Sequence, residues 1–563
     1  MIRVDRLTPN PPDPQLGTSA TAIATTENHA RRITRSVFIV LGAVLLSRML
    51  GFLREWMVAR QIGSGIATDA YYAAFTLPDF LNYLVASSAL EVILVPIFST
   101  YLADKREHET WYVFSTVVTF VTLLLCSLIV AGEIFAPQFV HMIVPGFSRA
   151  EMTQVIFLTR LMLPAQLFLC LGVVFCSAQV AHSHFLVPCL GAAVSNAGIV
   201  LCGWLLASRI GITGFAIGVV GGGFVGFFVL QIIGLKKLGV RFTPNANFRH
   251  PGFRMFLRLA IPFMLALSVV VTDDWMLRWF GSFLQPSSIT WLTYAKMLAR
   301  IPMNTIGYAV GLASFPHLAR LHSEGKYEEL NHTLNSAAKA LIFLLAPASA
   351  LAIALHSPIV YLVFSRTRLD GPTLTATAST LALFAIGILG FGVQGLLARG
   401  FYATRDTITP AVAGTAFTIA SILVYWYFGR HWEHLGLAAA SSCIITLFAV
   451  VMFALLARRT HNRECWALLR FAMKIVLASA ACGAACYWLT IRIEPWIAWR
   501  STRGALLLLF SVSLLGFGLY LALGMALGVC EVRDYLRKLH DWLRPARPLN
   551  NRGEPASIAI AGD

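Results

Sequence analysis

Long apolar stretches recur along the whole chain and constrain its fold more than any other feature. About fourteen of them contain roughly 20 apolar residues or more, which is the length that a helix needs to cross a bilayer. Spanning segments must satisfy their backbone hydrogen bonds internally, so we expect α-helices. The approximate spans are 36–60, 69–101, 111–134, 153–180, 185–207, 213–235, 254–283, 287–318, 330–355, 373–402, 408–428, 435–457, 467–490 and 504–529. The chain is predicted to be an all-α polytopic membrane protein.

Composition agrees with this prediction and excludes a soluble globular protein. Of the 563 residues, 57% are hydrophobic and only 13% are charged, and the mean hydropathy is +0.71. The net charge of +17 comes from cations spread through loops and tails, so we expect no nucleic-acid partner. Most loop cations fall on one side if the N-terminus is cytoplasmic, which predicts that both termini are cytoplasmic. The cations on that side include Lys105, Arg106, Lys236, Lys237, Arg320, Lys326, Arg458, Arg459 and Arg463.

The first predicted helix carries charges at a depth where charges are costly. At 100° per residue, Arg48 lies near Glu55 and Ser47 lies near Arg54, with Gly51 between the two pairs. Intramembrane charges usually face a polar cavity or a partner. We therefore predict that this arc lines a cavity, where Gly51 lets a ligand approach the backbone. The alternative is a salt bridge that joins helices.

The second predicted helix is also polar and is interrupted by prolines. Asp69 lies in its first turn, and Asn82 follows Pro78 and Asp79 deeper in the span. We predict that Asp69 and Asn82 contribute to the same cavity wall. For Asp69 the alternative is a favourable acid at a helix N-terminus.

The seventh and eighth predicted helices supply further charges. Lys296 and Arg300 are four residues apart and share a helix face, and Lys296 should be deep in the membrane. Arg300 lines the cavity or pairs with Asp273 or Asp274. A wet cavity lined by Arg48, Arg54, Lys296 and Arg300 would suit an anion, because arginine forks match phosphate oxygens.

An internal repeat divides the chain. Pro188 corresponds to Pro410 and Gly214 to Gly436, both at an offset of 222 residues. We predict two pseudo-symmetric six-helix lobes with the substrate site between them, as in transporters built from parallel repeats. Two C-terminal helices follow, as a lipid-tail groove or as peripheral packing. The predicted parts are a disordered cytoplasmic tail (1–33), the lobes (34–237 and 251–459), the two helices (466–530), and an amphipathic helix with the cytoplasmic tail (531–563).

Enzymatic and metal-dependent functions find no support in the sequence. The ten cysteines lie mostly in apolar segments without metal spacing, so we expect buried core residues, no disulfide framework and no cofactor. No HExxH, GxSxG or paired-carboxylate motif occurs in a loop. A cationic cavity would also repel the cationic drugs that many exporters carry.

Several segments resemble, in order, the signatures of the MurJ/MviN lipid II flippases of the multidrug/oligosaccharidyl-lipid/polysaccharide exporter superfamily. The resemblance covers about residues 34–530 and is carried by SRMLGFLRE, VARQIGSGIATDAYYAAFTLPDFL, VPIFSTY, VPGFS, YAKMLARIP and LARGFYATRDTITP. It implies fourteen helices, alternating access, and transport of an undecaprenyl-pyrophosphate-linked peptidoglycan precursor from the cytoplasmic to the periplasmic leaflet of the bacterial inner membrane. We also expect a monomer that contacts membrane lipids, and the sequence does not choose between coupling to the membrane potential, to H⁺ or to Na⁺.

The resemblance assigns individual residues. Ser47, Arg48 and Arg54 match the family's first-helix cavity residues, Asp69 matches the acid of the second helix, and Glu55 replaces the usual aspartate.

Other positions depart from the family pattern. Asn82 and Tyr83 stand where the family has paired arginines, and Met297 stands where it has the arginine of the eighth helix. Lys296 and Arg300 would restore that charge from neighbouring positions. The departures leave open a flippase for another polyprenyl-linked glycan, such as an exopolysaccharide or O-antigen unit, or an inactive cell-wall scaffold.

Overall fold

The computed structural model is helical throughout the part of the chain that it describes. It describes residues 40, 42–85, 87–265, 269–493 and 501–529. The predicted tail 1–33 and the predicted amphipathic helix in 531–545 lie outside these residues. We call residues 42–236 the first half and residues 251–459 the second half.

The helices of the first half begin with α1, at residues 42–61. Those that follow are α2 (Ile66–Ala74), α3 (Thr76–Leu84), α4 (Ser87–Ala103), α5 (Glu107–Ile143), α6 (Arg149–Met162), α7 (Ala165–Ala181), α8 (Leu186–Ile210), α9 (Thr213–Gly223), a π-helical turn (Phe224–Val229) and α10 (Leu230–Lys236).

The second half and the C-terminal part continue the same pattern. Their elements are α11 (Pro251–Leu265), α12 (Val269–Gly281), α13 (Ser288–Pro302), a π-helical turn (Met303–Gly307), α14 (Tyr308–Ser323), α15 (Tyr327–Ala354), α16 (His356–Phe364), α17 (Gly371–Ile386), α18 (Ile388–Ala403), α19 (Ile408–Arg459), α20 (Cys465–Ile493) and α21 (Thr502–Ala526).

Eight helices of the described part are long and apolar enough to cross a membrane, or nine if α17 and α18, bent by 44°, form one span. The all-α membrane fold is confirmed, whereas the count of fourteen stays a prediction. Short or charged elements account for the difference. The second predicted span is divided into α2, α3 and α4, and the eighth into α13, a π-helical turn and α14. The first predicted span carries four charges between Arg48 and Arg60, which makes it a charged element of this kind.

Two glycines matched by the repeat occupy equivalent positions in the structure. A Cβ on Gly214 would lie 2.9 Å from Cβ of Leu206, and one on Gly436 would lie 2.5 Å from the carbonyl carbon of Phe428. Each glycine therefore packs against the residue eight positions earlier, where two successive helices meet. Near Gly436 the two helices that meet are both parts of α19. Glu433 has a positive φ of 50° inside α19 and separates the two predicted spans that α19 contains.

Helix packing links the two halves. α11 packs against α4 and α5 of the first half, whereas α12 packs against α19 and α13 packs against α17 and α2. The C-terminal helices pack on the second half through α15 and α16, and the Tyr520 hydroxyl donates to the Phe343 carbonyl at 2.9 Å. Cys482 and Cys486 are buried free thiols in α20, as predicted.

Candidate functional site

A cavity of about 830 Å³ lies between α1 and the α12–α13 region. Its charged lining residues in the described part are five cations and two carboxylates, which is an unusual density for a membrane protein. They are Arg48, Arg54, Arg278, Lys296, Arg300, Glu55 and Asp274. Gly51, Thr293 and Asn304 also line the cavity. Of the polar arc predicted on the first helix, Arg48, Gly51, Arg54 and Glu55 line this cavity and Ser47 does not.

Glu55 holds Arg54 in place within the α1 arc. The Arg54 guanidinium donates to Glu55 Oε1 from Nε at 2.9 Å and from Nη2 at 2.5 Å, and Nη1 donates to Asn196 Oδ1 at 3.3 Å. The other Glu55 oxygen accepts from the Tyr72 hydroxyl at 2.6 Å. The Arg54 side chain remains 31% exposed, so it is oriented by its partners and still accessible from the cavity. Sequence reasoning missed Asn196 and Tyr72 because they come from other helices.

Gly51 and Ser47 lie on the same helix. A Cβ added to Gly51 would make one ordinary contact, 3.7 Å from Asn196 Nδ2, so this surface of α1 is open. Ser47 contributes its carbonyl, which accepts from Asn196 Nδ2 at 3.5 Å, and does not line the cavity in the described part. The substrate contact predicted for Ser47 stays a prediction.

Asp69 lies outside the cavity lining and caps a helix of the other half. Its Oδ2 accepts from the Ser287 backbone N at 2.7 Å, and its Oδ1 accepts from the Thr290 backbone N at 2.8 Å and from the Thr290 hydroxyl at 2.5 Å. A carboxylate at a helix N-terminus satisfies orphan N–H groups and complements the helix dipole. Asp69 is 3% exposed and thus joins α2 firmly to the start of α13.

Asn82 is half-buried in α3 and is likewise absent from the cavity lining in the described part. Its substrate contact, predicted from its place in the polar second span, stays a prediction.

Lys296 is buried inside the protein, where two carboxylates neutralise it, and its depth in the membrane stays a prediction. Its ammonium contacts Asp273 Oδ2 and donates to Asp274 Oδ1 at 2.6 Å, and Lys296 is only 5% exposed. Asp273 also accepts from the Ser441 hydroxyl at 3.0 Å and from the Tyr425 hydroxyl. This polar group belongs to the second half and leaves Lys296 little freedom to contact a ligand.

Arg300 combines the two roles that the sequence left open. It lines the cavity, and its Nη2 donates to Asp274 at 3.0 Å and 2.9 Å. Its side chain is 37% exposed, so it keeps contact with the cavity while it balances Asp274.

Arg278 was not among the predicted site residues, although it lies in a predicted span. Its Nη1 donates to Asp79 Oδ2 at 2.9 Å and to Thr76 Oγ1 at 3.2 Å, and the pair links α12 to α3. The signal in the sequence was the presence of opposite charges in two apolar spans, but their sequence separation concealed the pairing.

Contacts between the two halves close one end of this region. Arg368 Nη1 donates to the Gln61 carbonyl at 2.7 Å, and the Tyr294 hydroxyl donates to the Gly63 carbonyl at 3.3 Å. Gly63 has φ +91°, and a Cβ there would lie 3.0 Å from the Arg368 carbonyl oxygen, so both conformation and proximity favour glycine. Trp279 Nε1 donates to the Met142 carbonyl at 3.0 Å.

A second, smaller cavity of about 250 Å³ is almost entirely apolar. Residues of α13, α15 and α21 contribute to its lining, including Leu298, Leu351 and Leu509. It therefore lies where the C-terminal helices meet the second half.

Comparison with known proteins places this architecture among transporters. The family model described as lipid II flippase MurJ matches residues 58–506. The probable lipid II flippase MurJ of Vibrio cholerae serotype O1 is 28% identical over 517 residues, covering 89% of this chain and 97% of that protein. The lipid II flippase MurJ of Burkholderia cenocepacia is 26% identical over 475 residues, covering 83% of this chain and 92% of that protein.

Two solved structures show the same fold. A lipid II flippase MurJ in an inward closed conformation superposes with a TM-score of 0.72 at 21% identity, covering 89% of this chain and 100% of that chain. An inward-facing multidrug resistance transporter of the MATE family gives a TM-score of 0.60 at 13% identity, covering 77% of this chain and 99% of that chain. At these identities the two matches establish the architecture alone.

Proposed function

The chain belongs to the lipid II flippase MurJ family, and we propose that it moves lipid II from the cytoplasmic to the periplasmic leaflet of the bacterial inner membrane. Alternating access through the ion-lined cavity is the proposed mechanism. The substrate would be the undecaprenyl-pyrophosphate-linked peptidoglycan precursor, and the process would serve cell-wall biogenesis.

The observation that carries this proposal is the cationic cavity between α1 and the α12–α13 region. A pyrophosphate headgroup must pass about 30 Å of hydrocarbon, where an unshielded charge costs tens of kcal/mol. Five cations against two carboxylates in the described lining leave an excess of positive charge toward the cavity. Such a lining offsets the desolvation of an anionic headgroup, while the apolar tail stays in a hydrophobic environment.

The residues divide into two roles. Arg48 and Arg54 provide the cations of α1 for the phosphates, and Glu55 orients Arg54. On the opposite wall, Asp273 and Asp274 balance the deeply buried Lys296, whereas Arg300 is the more accessible cation. Balance of this kind keeps binding moderate, which a carrier needs in order to release its substrate.

Movement of the two halves would give access to each side in turn. We assign residues 34–237 and 251–459 to the two lobes, and the contacts of Gly63, Asp69 and Trp279 to a gate. Gly63 and Asp69 lie between the first predicted span and the body of the second, and Trp279 lies near the end of the seventh, so we assign these contacts to one side of the membrane. With cytoplasmic termini that side is the periplasm, and the cavity would load from the cytoplasm.

The C-terminal helices and the membrane potential complete the proposal. The apolar cavity beside α21 lies next to α13, so residues 466–530 are well placed to hold the lipid tail. An interior-negative potential favours outward movement of an anionic headgroup by about 2.3 kcal/mol per charge per 100 mV. The protein would work as a monomer, because each of these parts belongs to one chain.

Charge removal in the cavity tests the proposal. Arg48→Ala and Arg54→Ala should abolish rescue of cells depleted of their own flippase, with accumulation of lipid II, whereas the unsubstituted chain should rescue them. Arg160→Ala is the matched control, since Arg160 pairs with Glu133 outside the cavity lining. Full rescue by both cavity variants at normal expression would contradict the assignment.

A further inference from the structure

Arg278 and Asp79 form an ion pair that crosses from one half of the protein to the other at the cavity. Arg278 lines the cavity from α12, and Asp79 lies in α3, with 2.9 Å between Nη1 and Oδ2. By contrast, Arg54 pairs with its chain neighbour, and Lys296 and Arg300 pair with carboxylates of α12. The Arg278–Asp79 pair must therefore break if the halves separate here.

The exposure of the carboxylates that pair with the cavity cations indicates which ion pair a ligand can break most readily. The Asp79 side chain is 41% exposed, against 12% for Glu55, 5% for Asp273 and 31% for Asp274. A released carboxylate must be hydrated again, and this penalty is smallest for the carboxylate that is least buried. Asp79 is thus the carboxylate that an anionic ligand can displace at the lowest cost.

The Arg278 guanidinium also has donors to offer. Both of its hydrogen bonds to described residues use Nη1, one to Asp79 and one to Thr76. A guanidinium has five N–H donors in a rigid fork, which matches the oxygens of a phosphate. Nε and Nη2 can therefore engage a phosphate before the bond to Asp79 is given up.

We propose that Arg278 binds the pyrophosphate of the substrate by exchanging Asp79 for it, so that substrate binding releases this link between the halves. The inference rests on the proposed function and adds a substrate-binding residue in the seventh span. A ligand shifts a conformational equilibrium only by binding one state better than the other. The exchange supplies that difference, because the Nη1 donors of Arg278 become available to the ligand only when its link to α3 is broken.

The experiment measures binding of inorganic pyrophosphate to the purified full-length protein in lipid nanodiscs by calorimetry. Asp79→Asn should raise the affinity several-fold, because it removes the competing charge. Arg278→Gln should lower the affinity about tenfold or more, because it removes a charge-assisted hydrogen bond and the free energy of such a bond corresponds to a change of that size. The matched controls Glu133→Gln and Arg160→Gln break an ion pair within the first half and should leave the affinity within about twofold of the unsubstituted protein.

Two results would overturn the exchange. One is an affinity unchanged or lowered in Asp79→Asn, and the other is an affinity of Arg278→Gln equal to that of the unsubstituted protein. If Arg278→Gln does not fold, Asp79→Asn decides alone, because misfolding does not raise affinity. Failure of the unsubstituted chain to rescue flippase-depleted cells would count against the proposed function instead, and the pyrophosphate measurements would still decide the exchange.

Discussion

Replacing Lys296 with Met distinguishes a structural cation from a substrate-binding one. Lys296 lies between Asp273 and Asp274, and in the Lys296–Asp273 pair the two side chains are 6% and 5% exposed. Met keeps the length of the side chain and removes its charge. The substitution leaves Asp273 as a buried carboxylate without its cation, whereas Asp274 keeps Arg300.

The expected cost follows from this burial. Removing one partner of a buried ion pair destabilises a protein by about 3–5 kcal/mol. Asp273 still accepts hydrogen bonds from Tyr425 and Ser441, so we expect the lower end of that range. The melting midpoint of the purified protein should fall by several degrees. The double variant Asp273→Asn/Lys296→Met removes both charges and should recover most of the loss.

Activity separates the two roles. If Lys296 mainly neutralises Asp273, the double variant should still rescue flippase-depleted cells. A double variant that is as stable as the unsubstituted protein and yet inactive would show that the ammonium itself contacts the substrate. A single Lys296→Met variant with an unchanged melting midpoint would refute the destabilisation calculated from the ion pair.

Three further predictions concern two contacts between the halves, at Gly146 and at Asp69, and one helix cap. Gly146→Ala should lower the melting midpoint by the equivalent of about 1–3 kcal/mol, because a Cβ there would lie 2.7 Å from Cα of Phe283. Asp69→Ala removes the cap of α13 and should lower the free energy of unfolding by about 2 kcal/mol. Because this contact is assigned to the gate, a cysteine introduced at Ser64 should then react faster with an impermeant maleimide. Hydrogen bonds from Thr373 lower the pKa of Asp370, so its cap on α17 contributes above the unfolded value of about 3.9 and is lost as the pH falls through the lower folded value. Asp370→Ala should therefore lower the melting midpoint at pH 7 and lose this effect as the pH falls through the lowered folded pKa of Asp370.

Each of these predictions has an outcome that contradicts it. Gly221→Ala is the matched control for Gly146→Ala, because a Cβ at Gly221 meets no atom within 4 Å. Equal melting midpoints for the two variants would exclude the steric overlap expected at Gly146. The exposed Asp104 provides the control for Asp69, and equal maleimide rates in the two alanine variants would exclude a gate role. A midpoint difference for Asp370→Ala that does not shrink as the pH is lowered from 7 into the acid range below the unfolded value of about 3.9 would contradict titration of the cap.

Much of the fold was predictable because it depends on local patterns. Apolar length predicts which segments are spans, and the residue spacing in α1 predicts that Arg48, Gly51, Arg54 and Glu55 lie on related faces. The equivalent packing of Gly214 and Gly436 agrees with the repeat that their spacing indicated.

The charge partners were less predictable. The pairing of Arg300 was only one of two alternatives, and neutralisation of Lys296 was not anticipated. Both pairings depend on how α12 packs against α13. Hydrophobic periodicity does not specify how far each helix is rotated about its own axis in that contact. The same holds for Asn196, which reaches Arg54 from a helix about 140 residues later.

The sequence by itself determined an all-helical membrane protein and a charged arc on the first helix, because these follow from composition, spacing and helical period, and its motifs indicated the family by resemblance. Only the tertiary structure decided that Asp69 caps α13, that Asp79 pairs with Arg278, and that Lys296 is neutralised. The physical reason is that a buried charge is stabilised by whichever opposite charge or dipole lies within a few ångströms. For Asp69, Asp79 and Lys296 that partner belongs to another helix, and only packing brings the two together.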